Sequence, residues 1–399
     1  MSPSSQTKGL YLGPRHIKFG GLYYFASVIG RSEPNEADQR SSAHRPRSYD
    51  GYLNSIEELA MNHSNVTRRT ALALGGAGVL SCTIGDLRAQ TPRRMTYVTP
   101  FSHILAFADV LHAKGGGYFE REGLDVTVEQ GRGSAMAVQQ ILGGGALLSR
   151  TGVGDHIRAS SRPGGSDLVA VGTISQGSPF YVISTVAKPI RTPEEMAGKT
   201  IGVLSVGGAT EIALDVMLRA RGVDRTRVAR QTAPNSPAGL QLIEQGRIDA
   251  YIVSAGVPVA LQATNTPHVS WNTDTVAPIP GQCYIARRTT LAQNGDVVVR
   301  FLRAVKRSLD DMLADTSLTK TLANLKSFEI AEMGNATLAP LILRNEMQFW
   351  LTSGRENLLR NVPEHWQRGY DLLSAAGFAP PGVRAETLFT NEFVDRARA

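Results

Sequence analysis

The sequence predicts an α/β protein built of two lobes. From Met95 onward, short β-like runs alternate with helix-like runs, which is the pattern of an α/β fold. Several of the β-like runs are apolar without alternation, as expected for strands of a parallel sheet covered on both faces. The last third of the chain becomes mainly helical. The predicted strands are Met95–Thr99, Val126–Glu129, Leu168–Thr173, Phe180–Ser184, Thr200–Leu204, Ala250–Ser254 and Gln282–Ile285.

Two helices are predicted from their periodicity. Thr210–Arg221 places its apolar residues on one stripe, and Gly222 follows where a helix end is favoured. Val297–Leu313 also has one apolar face, with basic residues opposite. Further helical sequence, containing Trp350 and Trp366, continues to the C-terminus. The helical C-terminal part therefore belongs to the folded body.

The chain is expected to cross between the lobes twice. We assign residues 95–184 and 277–399 to the first lobe and residues 185–276 to the second. The crossings then fall near Ser184–Lys188 and near Val276–Tyr284. Two crossings form a hinge with a cleft beneath it.

The composition argues against nucleic-acid and metal chemistry. The net charge of the 399 residues is +7, but residues 1–89 hold 10 Lys and Arg against 7 Asp and Glu. Residues 90–399 therefore carry only +4, without a basic stripe that would bind nucleic acid. Cys82, Cys283 and eight scattered histidines show no zinc-site spacing. No metal and no cofactor are expected.

The segment of residues 61–89 predicts export to the periplasm. Arg68 and Arg69 precede an uncharged, glycine-softened apolar stretch, and a short polar region ends at Ala89, the order of a secretory signal. Paired arginines favour the twin-arginine route, and the stretch is too short and mild for a membrane span. Cleavage after Ala89 is preferred. Lipidation at Cys82 is the alternative.

Residues 1–60 do not fit in front of such a signal. They mix a short apolar run with a polar stretch rich in Arg, Ser and Pro, and Met61 lies seven residues before the arginine pair. We expect translation to start at Met61, so that residues 1–60 are a non-native or disordered extension. The mature protein should then lack them, which N-terminal sequencing checks.

Glycine-rich loops before helices supply candidate ligand contacts. Gly131–Ser134 precedes one helix, and Val206–Thr210 follows the strand Thr200–Leu204 and opens another. Such junctions present unpaired backbone N–H groups at the positive end of a helix, which suit a carboxylate, phosphate, sulfonate or nitrate group. Neither loop matches a dinucleotide-binding or P-loop motif. As an alternative, both loops are plain tight turns.

Other polar residues are placed near the predicted cleft. His103 follows the first strand, where open α/β sheets bind ligands, and Ser175–Phe180 lies at the lobe junction. No motif for a nucleophile or a metalloprotease is present, so binding without catalysis is expected. The candidate ligand-binding residues are His103, Ser134, Gln176, Ser178, Gly208, Ala209, Thr210 and Asn235.

Five segments, in order along residues 95–399, resemble one protein family. The most specific is GYFEREGLDV, at Gly117–Val126. The others are Ile174–Pro179, Arg191–Val203, Gln245–Ala250 and Thr390–Phe393. Together they resemble the solute-binding proteins of ABC importers for nitrate, sulfonates, taurine and thiamine-precursor pyrimidines.

The resemblance implies a type II periplasmic-binding fold, in which two α/β lobes close on a ligand. It also implies a membrane permease and an ATPase as partners. We expect the binding protein to be a monomer. The expected function is capture of a small polar, anionic solute for import. Leu147–Thr151 departs from the acidic-apolar run usual in the family, and Lys114–Gly117 is richer in glycine. For this reason no subfamily's substrate is carried over.

Two alternatives remain open. The first is a metabolic enzyme of pyrimidine or thiamine-precursor type on the same fold, although the eukaryotic enzymes of that kind carry a cysteine-rich motif that is missing here. The second is a ligand-sensing module for a membrane receptor.

Overall fold

A computed structural model describes residues 91–399 of the chain; the predicted signal, Met61 and Cys82 lie outside this range. Its strands are β1 (Arg93–Thr99), β2 (Leu124–Gln130), β3 (Leu148–Gly152), β4 (Leu168–Ser175), β5 (Phe180–Ser184), β6 (Thr200–Val203), β7 (Ala229–Thr232), β8 (Ala250–Ser254), β9 (Val269–Asn272) and β10 (Gln282–Arg287). Its α-helices are α1 (Ala108–Gly115), α2 (Tyr118–Arg121), α3 (Ser134–Leu142), α4 (Val153–Ser160), α5 (Ala209–Ala220), α6 (Gly239–Glu244), α7 (Gly256–Ala263), α8 (Arg288–Ala314), α9 (Thr319–Leu325), α10 (Leu338–Trp350), α11 (Pro363–Ala375) and α12 (Glu392–Arg398).

The strands form two five-stranded sheets that share one pattern. The orders are β2-β1-β3-β10-β4 and β7-β6-β8-β5-β9. In the first sheet, the parallel strands β2, β1 and β3 are followed by the antiparallel strand β10. In the second sheet, the parallel strands β7, β6 and β8 are followed by the antiparallel strand β5. Both β10 and β5 adjoin a lobe crossing. The sheets are therefore mixed rather than purely parallel.

The seven predicted strands are confirmed, and three others were missed. The residues of β4 and β8 are buried along their whole length, as the unbroken apolar runs predicted. The missed strands β3, β7 and β9 are the polar ones: β3 carries three adjacent polar residues, and β7 is a partly exposed edge strand. Their side-chain chemistry hid the strand signal, because a polar run is not separable from a loop by composition.

The structure moves the first lobe crossing. Residues 95–184 were assigned to the first lobe, but β5 pairs with β8 and β9 in the second sheet. The crossing therefore occupies residues 176–179, between β4 and β5. The second crossing lies between β9 and β10, at residues 273–281, which overlaps the expected position.

The C-terminal helices pack against both lobes. α8 and α12 pack on the first sheet's side of the molecule, where Phe301 stacks between Tyr97 and Phe119 at ring distances of 5.4 and 5.0 Å. α10 packs against α7 of the second lobe, and α11 packs against α5 of the second lobe. Among residues 91–399, no helix is long and apolar enough to span a bilayer.

The GYFEREGLDV segment has a structural role. Gly123 has φ +66°, a conformation that favours glycine, and it turns the chain from α2 into β2. Glu122 is largely buried and pairs with Arg303 at 3.2 Å and Arg307 at 2.6 Å, both on α8. The most specific family motif therefore fastens α8 to the first sheet.

Candidate ligand-binding site

A cavity lies between the two lobes, and both lobes line it. Its volume is about 20 Å³, room for about one water molecule. A larger solute can enter only if the lobes separate. We call this space the interlobe cavity; its lining residues are Phe101, Ile104, Ala106, Phe107, Arg150, Ser175, Pro179, Phe180, Leu204, Asn235, Ser254, Gln282, Glu346 and Trp350.

Arg150 is the positively charged residue of the interlobe cavity. It comes from β3, where its side chain is 2% exposed, and Nη1 donates to Oδ1 of the fully buried Asp109 at 2.7 Å. Nε donates to Oε1 of Gln282 at 2.6 Å, and the Tyr284 hydroxyl donates to Asp109. Nη2 makes no hydrogen bond within residues 91–399. The guanidinium is therefore fixed in place, with one nitrogen that has no acceptor in the described part of the chain.

Glu346 brings a carboxyl group to the same cavity. It lies on the buried face of α10, is 3% exposed, and forms no ion pair with Arg150. Burial, together with the nearby Glu332 and Asp109 and against the opposing effect of Arg150, raises its pKa to about 8. The carboxyl is therefore largely neutral at pH 7 in this closed form.

Aromatic rings form the apolar walls of the cavity. Phe101, Phe107 and Trp350 come from the first lobe and Phe180 from the second. The Arg150 guanidinium carbon lies 4.9 Å from the centroid of the Phe107 ring, a cation–π distance. Flat aromatic surfaces favour a solute with an unsaturated or planar part.

Asn235 is the expected ligand-binding residue that lines the interlobe cavity. It follows β7, and its Oδ1 accepts hydrogen bonds from the Ser254 amide at 3.0 Å and hydroxyl at 2.9 Å. These bonds orient the side-chain amide, whose nitrogen has no partner within residues 91–399. The second lobe therefore offers a neutral donor opposite Arg150.

Gln176 and Ser178 lie at the hinge instead of in this cavity. Gln176 Nε2 donates to the carbonyls of Asn357 and Arg360, which ties the first crossing to the C-terminal part. The Ser178 hydroxyl lies 2.7 Å from Thr273 Oγ1, so it ties the two crossings together. In this structure, the polar groups of both residues form hydrogen bonds at the hinge.

The residues that open α5 also lie outside the interlobe cavity. Thr210 Oγ1 accepts from the Leu204 amide at 3.0 Å, and the Gly208 amide donates to Ser205 O at 3.2 Å. Two donors near this helix start are thus used within the loop. Ala209 lines a separate crevice of about 20 Å³, which Ser178 also lines.

His103 and Ser134 are buried beside the cleft. His103 packs edge-on against Phe328 at 5.5 Å, and burial lowers its pKa. Ser134 is the first residue of α3, and its hydroxyl has no hydrogen-bond partner within residues 91–399. Neither lines the interlobe cavity.

Arg150 and Glu346 line the cavity but were not among the predicted residues, although the sequence carries a signal for each. An arginine within the β-like run Leu148–Gly152 needs a buried partner, because arginine is rarely buried alone. Glu346 falls on the stripe formed by Ala339, Ile342 and Trp350, where apolar residues are expected. A charged residue on an apolar face marks a site candidate.

No group of three His, Cys, Asp or Glu residues within 91–399 is arranged to hold a metal ion.

Comparison with known proteins places this geometry in a family. Residues 105–317, more than half of the chain, match the family described as NMT1/THI5 like. The riboflavin-binding protein RibY of Chloroflexus aurantiacus is 23% identical over 309 residues, covering 76% of this chain and 87% of RibY.

Two solved structures show the same fold. The periplasmic aliphatic sulphonate-binding protein SsuA of Escherichia coli has a TM-score of 0.56 at 19% identity, covering 74% of this chain and 97% of that one. The alkanesulfonate-binding protein SsuA of Xanthomonas axonopodis pv. citri, bound to MOPS, has a TM-score of 0.56 at 14% identity, covering 75% and 98%. The two α/β lobes thus have the predicted periplasmic-binding fold, and the chain belongs to the NMT1/THI5-like family.

Proposed function

We propose that this protein is a periplasmic solute-binding protein that captures a small polar solute in the interlobe cavity for an ABC importer. The observation that carries the proposal is the cavity itself, which presents Arg150 from one lobe and Asn235 from the other. A hinge of two hydrogen-bonded crossings lies beside it. The names of the sulfonate-binding and riboflavin-binding relatives support the same function.

Binding and closure are coupled in this mechanism. An open form admits the solute, and closure replaces the solute's water hydrogen bonds with those of Arg150 and Asn235. A charge-assisted hydrogen bond contributes on the order of 1.5–3 kcal/mol. The solute therefore shifts the population towards the closed form by its preference for that form.

In this proposal, Arg150 binds the acceptor group of the solute. The sequence favoured the amides that open α5, but the Gly208 amide already donates to Ser205 O inside its own loop. Arg150 Nη2 has no such partner. The aromatic walls add room for a planar part, in line with a riboflavin-binding relative.

The permease, the ATPase, the monomeric state and the twin-arginine signal are parts of the same proposal. A metabolic enzyme on this fold would convert the solute, whereas a binding protein returns it unchanged. A sensing module would bind solute without an importer. Mass spectrometry of the solute after incubation separates binding from turnover, and solute uptake in a deletion strain separates import from sensing.

A thermal-shift screen of residues 90–399 followed by calorimetry tests the proposal. The panel contains inorganic anions, sulfonates, aromatic acids, pyrimidines and riboflavin. For a solute that stabilises the protein, Asn235→Ala should weaken binding about 2- to 13-fold, the equivalent of one net hydrogen bond. Gln241→Ala, on an exposed position of α6, is the matched control and should leave affinity unchanged.

Equal affinities for the wild type and Asn235→Ala would place the solute elsewhere. A converted product in the mass spectrum would replace binding by catalysis.

A further inference from the structure

Glu346 is a buried carboxyl group for which the structure shows no internal partner. It sits on the apolar face of α10 between Ile342 and Trp350, and it makes no hydrogen bond within residues 91–399. A buried polar group without a partner destabilises the fold. The presence of such a group on an apolar face indicates a hydrogen-bonding partner that is not part of the chain.

Two other carboxyls of the first lobe, one buried and one half-buried, do have internal partners. Asp109 pairs with Arg150 and accepts from the Tyr284 hydroxyl. Glu332 accepts from the Leu105 amide at 2.7 Å. Neither of these carboxyls lines the interlobe cavity, whereas Glu346 does. A third carboxyl, the buried Asp155, lies away from this cavity and leaves Oδ2 without a partner, but its Oδ1 lies 3.3 Å from Arg158. Of these four carboxyls, Glu346 combines the lack of any partner with access to the cavity.

The electrostatic surroundings of Glu346 disfavour a simple anion next to it. Glu332, from the turn before α10, and Asp109, from α1, both raise its pKa, while Arg150, from β3, lowers it. Asp109 already pairs with the Arg150 charge. Because Asp109 already balances the Arg150 charge, an inorganic anion at Arg150 would leave the cavity with a net negative charge, whether Glu346 is neutral or ionised.

We infer that Glu346 is a specificity-determining residue that accepts a hydrogen bond from a nitrogen donor of the solute, while Arg150 binds the solute's acceptor group. The solute class is therefore a small molecule that carries both an N–H or ammonium group and an acceptor group. This inference rests on the proposed function and narrows its ligand.

The unliganded protein offers the first test. Glu346→Met replaces a buried, partnerless carboxyl with an apolar side chain on an apolar face, so the variant should melt at the same or a higher temperature. Glu332→Met is the matched control: it removes the acceptor of the Leu105 amide and should melt at a lower temperature. A lower melting temperature for Glu346→Met would make Glu346 a structural residue and overturn the inference.

Matched probe pairs offer the second test. 4-Aminobenzenesulfonate is compared with benzenesulfonate, and uracil with 1,3-dimethyluracil, by calorimetry. In each pair that binds, the member with the nitrogen donor should bind about tenfold more tightly to the wild type. Glu346→Met should reduce this preference to less than about threefold.

Other outcomes separate the inference from the proposed function. Tight binding of the donor-free members, undiminished in Glu346→Met, would overturn the inference and leave the proposed function standing. Binding of no solute from these pairs or from the wider panel would remove the proposed function and the inference with it.

Discussion

The two lobes differ in how many charged residues they bury. The first lobe buries Asp109, Arg150, Asp155 and Glu346, whereas Asp215 is the buried charged residue of the second lobe within the described chain. Arg150 and Glu346 both face the interlobe cavity, to which the second lobe contributes only neutral side chains. In the proposed function, this difference assigns selection of the solute to the first lobe and closure over it to the second.

The division has a physical reason. A buried charge needs a network that holds it, and the first lobe builds one from Asp109, Gln282 and Tyr284 around Arg150. The long helix α8 and the other C-terminal helices give that lobe the larger apolar core. A smaller cluster around Tyr251 supports one face of the second sheet.

The largest effect should come from removing the first lobe's buried cation. Arg150→Ala leaves the Asp109 carboxylate buried without its partner, which should lower the free energy of unfolding by about 3–5 kcal/mol. Urea denaturation measures this loss. The double variant Asp109→Leu with Arg150→Met should recover most of the stability but bind no solute. Recovery of binding in the double variant would contradict the role of Arg150.

A second large effect should be a loss of stability between pH 6.5 and 8.5, caused by ionisation of carboxyl groups in the first lobe. Burial raises the pKa of Asp155 and Glu332 to about 7 and of Glu346 to about 8. Carboxyls with a raised folded-state pKa stabilise the fold below their unfolded pKa and lose this contribution as pH rises through the folded value. Burial also lowers the pKa of His112 and His156 to about 4, which costs stability only as pH falls below about 6.5.

Between pH 6.5 and 8.5 the carboxyls therefore dominate, and stability should fall on the order of 3 kcal/mol. Urea denaturation at both pH values measures the change. Glu346→Met should reduce the fall by more than half. An unchanged fall in that variant would show that Glu346 does not titrate in this range.

A medium effect is expected at the hinge. Gln176→Ala removes the bonds to the Asn357 and Arg360 carbonyls and should lower stability by about 1–3 kcal/mol. Solute affinity should change little, because Gln176 does not line the interlobe cavity. Chemical denaturation measures the stability of the variant, and calorimetry on the same sample measures its affinity for the solute. A loss of affinity would instead support the ligand contact that the sequence predicted for Gln176.

The smallest effect should come from the second lobe. Thr210→Val removes the acceptor of the Leu204 amide at the start of α5 and should cost about 1 kcal/mol. Affinity should be retained if the α5 loop serves the fold. A loss of affinity greater than tenfold, with stability unchanged, would return the solute to the helix start and reverse the comparison between the lobes.

The sequence predicted the lobes better than the site, for a reason that particular residues illustrate. Apolar runs such as Leu168–Thr173 identify a covered strand by themselves. The function of a polar residue depends on which element lies opposite, and that is set by tertiary packing. Gln176 and Asn235 looked alike as neutral loop residues, yet one packs under the C-terminal part and the other faces the cavity.

The central claim is that the lobes close over the solute, and a distance across the cleft tests it most directly. Met136 on α3 and Val206 before α5 are exposed and belong to opposite lobes. Spin labels at Met136→Cys and Val206→Cys in residues 90–399 report the distance, because the remaining Cys283 is buried and burial raises its pKa. With a bound solute the distribution should become narrower and shift to shorter distances. Identical distributions with and without solute would contradict the account.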